Sequence, residues 1–101
     1  MKSTQVVVMD PVGLHARPAA LFVKLANAFS SNVSVCNLSG SGKWANAKSI
    51  LGVLTCGVKQ GDRIEVKAEG VDESEAVAAL EKLVLSNFAE QAGSSQSSAP
   101  S

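Results

Sequence analysis

The chain has 101 residues, one domain's worth and too few for two independent cores, and its 46% hydrophobic share is too high for a disordered chain. Nine basic and nine acidic side chains balance to zero, so no general attraction draws it to nucleic acid or to a membrane surface. One Trp and three Phe are too few for a base-stacking platform, and any electrostatic recognition must come from a local patch.

Residues 6–9 form the only apolar run near the start, shorter than a secretory signal or the ~20 residues of a spanning helix. Cys36 and Cys56 make no disulfide framework, and two cysteines with one histidine make no zinc motif. Both read as reduced thiols of a cytosolic protein, with no metal and no cofactor.

Residues 4–9 read as a β-branched strand, and Asp10-Pro11-Val12-Gly13 as turn chemistry. A helical pattern follows over 17–29, with Leu21, Phe22, Leu25 and Phe29 on one stripe and Lys24 and Asn27 facing away. Pro18 falls in the first turn, where its missing N–H is no loss. Residues 33–38 read as a second strand with Val33 and Val35 on one face, which puts Cys36 on the more exposed face. Ser39-Gly40-Ser41-Gly42 is a reverse connection to a short strand over 43–45, where Trp44 reads as a partly exposed packing residue. Asn46 is placed to cap a short helix over 47–54, in which Ile50 reads as core. Cys56 behind it is expected buried.

Gly57 and Gly61 bracket a loop before an alternating strand over 63–68. Asp72-Glu73-Ser74-Glu75 resembles a capping box and opens a last helix with Val77, Leu80, Val84 and Phe88 at helical spacing. The order is strand, helix, strand, strand, helix, strand, helix: an α+β domain over 1–89 with helices on one sheet face. Residues 90–101, serine-rich and without an apolar face, are expected to form a disordered tail. Met1 at the start suggests a stand-alone protein.

The chemistry lies in Gly13-Leu14-His15-Ala16-Arg17-Pro18-Ala19. A neutral imidazole is a nucleophile near physiological pH. The free N–H groups and positive dipole end of the following helix suit an anion. Arg17 offers charge-assisted hydrogen bonds to phosphate oxygens. A lone histidine before a helix is ordinarily a surface or capping residue, so spacing alone does not decide the matter.

The segment GLHARPA, residues 13–19, resembles the active-site motif of the HPr family, histidine phosphocarriers of the bacterial phosphotransferase system. Residues 48–54, KSILGVL, resemble that family's regulatory-serine helix, and residues 57–62, GVKQGD, its following turn. The likeness spans roughly residues 3 to 88 and two separated motifs. It implies an open-faced β-α-β-β-α-β-α sandwich, a four-stranded antiparallel sheet with three helices on one face. It also implies that His15 takes a phosphoryl group on Nδ1 from Enzyme I and passes it to a sugar-specific EIIA domain. The chain would then be a cycling carrier in the bacterial cytoplasm and no enzyme, working as a monomer in sugar transport.

By the same resemblance Ser49 is a regulatory site for HPr kinase/phosphorylase. A phosphate there adds about two negative charges beside the face that docks Enzyme I. Leu51, flanked by Arg17, Lys24 and Lys48, is expected at that docking face. A small apolar spot with a basic rim suits brief contact with acidic partners. Two rival readings are a nitrogen-type regulatory phosphocarrier and a module whose phosphorylated Ser49 binds a transcription regulator. An enzyme using His15 as general base lacks a second titratable group placed by motif and is the weakest of the set.

Overall fold

The computed structural model describes residues 1–10, 16–86 and 88. The serine-rich stretch expected as a tail lies outside the described residues, as does the turn over 11–15. The elements are β1 (Lys2–Val7), α1 (Ala16–Ala26), β2 (Asn32–Asn37), β3 (Trp44–Asn46), α2 (Ile50–Thr55), β4 (Arg63–Glu69) and α3 (Glu73–Leu85). One sheet in the order β1-β4-β2-β3 holds all four strands, and every neighbouring pair is antiparallel. The three helices complete an α+β open-faced sandwich, as the sequence led us to expect.

Alternation along the strands builds the core. Ile64, Val66 and Ala68 of β4 are fully buried, and Val35 and Val33 face Val66 and Ala68 across the β2–β4 ladder. Their neighbours Glu65 and Lys67 take the opposite face, because successive strand side chains alternate. From the helices come Phe22, Val53, Leu80, Leu83 and Val84. α1 packs against both α2 and α3. Its buried stripe is therefore Ala19, Phe22 and Ala26, while Leu21, Leu25 and Phe29 are only half-buried. Small alanines let two helices approach closely, and the larger residues fill the flanks.

Five expectations need correction. Ser49, not Asn46, caps α2: the Gly52 N–H donates to Ser49 Oγ at 3.1 Å. Asn46 ends β3 opposite Ser34, and its side-chain oxygen accepts from the Lys48 N–H at 2.9 Å. Asp72 caps nothing with its side chain. Its carboxylate instead accepts from the N–H groups of Ser30 and Ser31, at 2.8 and 2.9 Å, and from the Ser31 hydroxyl. Three donors at the exit of α1 outcompete the N–H groups of its own helix. α3 ends at Leu85, and Phe88 lies beyond it, buried, with φ of 65°. Its N–H donates to the Leu83 carbonyl at 2.9 Å, which closes the helix end.

Cys36 is 2% exposed despite facing away from the core. Trp44 stands directly opposite it on β3 and Glu65 on β4. Side chains so paired lie within reach of one another, and a large indole shields a small thiol. Cys56 is buried as expected, and that burial pushes its thiol above its usual pKa. Ile50, the last correction, belongs with the site below.

The Asp72 contact predicts an acid dependence. The Ser31 hydroxyl first, then the Ser30 N–H, hold its carboxyl below the ordinary 3.8. A carboxyl with a depressed folded-state pKa stabilises the fold above its unfolded value, and that contribution disappears as the pH falls through the folded one. Urea midpoints measured between about pH 3 and pH 7 should fall at the acid end, and Asp72→Asn should flatten that fall. An unchanged acid slope in the variant would remove Asp72 from the account.

Candidate functional site

His15 directly precedes α1 and lies outside the described residues. The helix it leads into is well suited to an anion. α1 carries no acidic residue in its first turn to offset its positive end. Pro18 is buried there without forfeiting a hydrogen bond, and Arg17 beside it is exposed. Lys24, in the last turn, is also exposed.

α2 has six residues, and among them only Val53 is buried. A Cβ at Gly52 would stand 2.9 Å from the Asn46 carbonyl oxygen, so the helix rests its glycine on the end of β3. With Gly52 and Val53 turned inward, Ile50, Leu51 and Leu54 point outward. Leu51 is 69% exposed and Ile50 42%, which corrects the expectation that Ile50 is core. A glycine inside a six-residue helix was the available signal: so short a helix buries one narrow stripe.

Lys48 is held differently from Arg17 and Lys24. Its ammonium donates to the Phe29 carbonyl at 2.7 Å, where it meets the carbonyls left free past the end of α1. Asn27 completes the joint by donating to the carbonyls of Val23 and Lys48, at 2.9 and 3.2 Å. The start of α2 thus adjoins the end of α1. With 11 residues rising ~1.5 Å each, Ser49 lies about 16 Å along α1 from its N-terminus.

A local charge imbalance also emerges. No acidic residue lies between Asp10 and Asp62, while Arg17, Lys24, Lys43, Lys48 and Lys59 all do. Every side chain that α1 and α2 present is basic or uncharged, so no acidic side chain of these two helices accompanies Ile50, Leu51 and Leu54. The overall balance of charge conceals this; a windowed count reveals it.

The profile of the family described as PTS HPr component phosphorylation site matches residues 2–86. The phosphocarrier protein HPr of Mycoplasma pneumoniae is 51% identical over 85 residues, 84% of this chain and 93% of that one. The HPr of Mycoplasma genitalium is 40% identical over 87 residues, 86% of this chain and 97% of its own. Among solved structures, HPr from Thermoanaerobacter tengcongensis superposes with a TM-score of 0.82 at 46% identity, covering 88% of this chain and 97% of that one.

Proposed function

The chain belongs to the HPr family, the phosphocarriers of the phosphotransferase system, and on that premise we propose that His15 is the residue that carries the phosphoryl group. The neutral imidazole attacks phosphorus on phosphorylated Enzyme I. A new N–P bond forms as the donor's bond to phosphorus breaks, and an EIIA domain later takes the group by the same step in reverse. The observation that supports this most is the GLHARPA segment feeding a helix whose first turn carries an exposed Arg17 and no acidic residue. The helix end and the guanidinium suit the dianion that results. The setting for the exchange is the cytoplasm. Intact mass after incubation with Enzyme I and phosphoenolpyruvate should show one acid-labile phosphoryl group, and no gain with a competent Enzyme I would overturn the reading.

Docking falls to α2 in this account. Leu51, with Ile50 and Leu54 beside it and Lys24 in the last turn of α1, meets an acidic partner. Leu51→Glu is expected to slow phosphorylation by Enzyme I roughly thirtyfold, the size of a ~2 kcal/mol interface hot spot. Because Leu51 is largely exposed, the melting temperature should stay put. An unchanged rate would place docking elsewhere.

Ser49 is the regulatory residue, and its distance from the N-terminus of α1 says how it acts. About 16 Å of helix separates them, whereas the Debye length is only ~8 Å at physiological salt. A phosphate on Ser49 therefore reaches the N-terminus of α1 only as a screened charge. It acts instead on the neighbouring docking surface, by placing negative charge beside Leu51 where an acidic partner approaches.

A further inference from the structure

Trp44 is the only tryptophan of the chain, and it stands on the sheet face opposite the core. It is 44% exposed and separates two grooves, of about 300 and 220 Å³. The larger is lined by Asn32, Ser34, Asn46 and Lys48 beside the indole. Ser41, Lys43, Thr55 and the edge of Cys56 line the smaller.

The chemistry of the lining narrows what the larger groove can take. No carboxylate is among its lining residues, the nearest by register being Glu69 across from Asn32 on β4, so the lining itself gives a metal ion or an organic cation no counter-charge. The cations nearby are engaged: Lys48 holds the Phe29 carbonyl, and the Lys67 ammonium lies 4.2 Å from the centre of the indole ring. A phosphorylated ligand would have to take one of them from its partner. What remains is the Asn32 amide, the Asn46 amide nitrogen (its oxygen already accepts from the Lys48 N–H), the Ser34 hydroxyl and the indole, one face of which Lys67 covers. Amides and hydroxyls hold hydroxyl groups, while an aromatic plane packs against the apolar side of a saturated ring. The volume, at the lower end of the roughly 300–1,000 Å³ of ligand sites, suits a small ligand.

We propose that this groove binds a neutral saccharide, with one sugar ring stacked on the face of Trp44 that Lys67 leaves open and its hydroxyls bonded to Asn32, Ser34 and Asn46. None of these residues belongs to the segment 13–19, and binding here does not depend on phosphoryl transfer. Trp44 itself is the reporter. Titrating the full chain with glucose and maltose should give a saturable shift in tryptophan emission, together with amide resonance shifts at Ser34 and Asn46. Asn32→Ala and Ser34→Ala should each weaken binding several-fold, as losing a hydrogen bond worth ~1 kcal/mol implies. Trp44→Leu, followed by amide shifts and checked by thermal melting, should abolish it. Tighter binding of glucose 6-phosphate or AMP than of the neutral sugars would make this an anion site and overturn the proposal. A linear change that never saturates, or none, would overturn it as well.

Discussion

His15→Ala is expected to gain no phosphoryl group from Enzyme I and phosphoenolpyruvate, while Arg17→Ala gains one slowly. The two losses should differ in kind because the two side chains do different work. Without the imidazole no nitrogen remains to form the N–P bond, and no other residue of α1 or α2 replaces it: their side chains supply hydroxyls, cations and hydrocarbon. Arg17 contributes hydrogen bonds to an anion, and such charged bonds are worth ~1.5–3 kcal/mol, or roughly a ten- to hundredfold change in rate. The measurement is the time course of intact mass, with acid treatment separating phosphohistidine from phosphoserine. An acid-labile group on His15→Ala would move the acceptor elsewhere, and a full rate for Arg17→Ala would leave the helix N-terminus to hold the phosphate alone.

Such graded effects also separate chemistry from docking. Leu51→Glu lowers the rate by hindering encounter, so raising the Enzyme I concentration should restore it. No concentration of Enzyme I restores His15→Ala. For Arg17→Ala the deficit persists at saturation, because the missing bonds are to the transferred group and not to the partner's surface.

The order of all seven elements was legible in the sequence because each rests on a local signal: β-branched runs, a helical stripe, or glycines where the chain turns. The caps were not. Asn46 and Ser49 are both good capping residues, three apart, and propensity does not separate them. The choice is tertiary: β3 pairs Asn46 with Ser34, and the close approach of Gly52 to the Asn46 backbone fixes where α2 can begin. Asp72 likewise follows a D-x-x-E pattern, but its strongest donors lie about 40 residues away in sequence, on Ser30 and Ser31. Cys36 was read by alternation, which names the face correctly and says nothing of what covers it. For the site, the motif residues were legible by type and spacing. The outward turn of Ile50 was signalled only by Gly52, two residues on, and what fixes it is tertiary: that glycine's close approach to the Asn46 carbonyl at the end of β3.

Gly70→Ala is expected to destabilise the fold by roughly 3 kcal/mol, which lowers the melting temperature on the order of 15 °C for a domain of this size. Gly70 joins β4 to α3 with φ of 155°, and an added Cβ would stand 2.7 Å from the Ser31 Cα. That neighbour is backbone, so it cannot rotate away. Moving it would break the bonds from Ser30 and Ser31 to Asp72, two residues after Gly70. The exit of α1 and the entry of α3 are thus fixed by one close approach and one carboxylate. Gly57→Ala is the comparison: its φ of 62° strains an alanine, but nothing stands within 4 Å of the new Cβ. It should therefore cost only about 1 kcal/mol. Equal losses in the two variants would mean that backbone strain alone decides the outcome at Gly70. A loss at Gly70 that vanishes in the Asp72→Asn background would instead show that the steric conflict acts through the carboxylate, because the two changes would then remove the same joint.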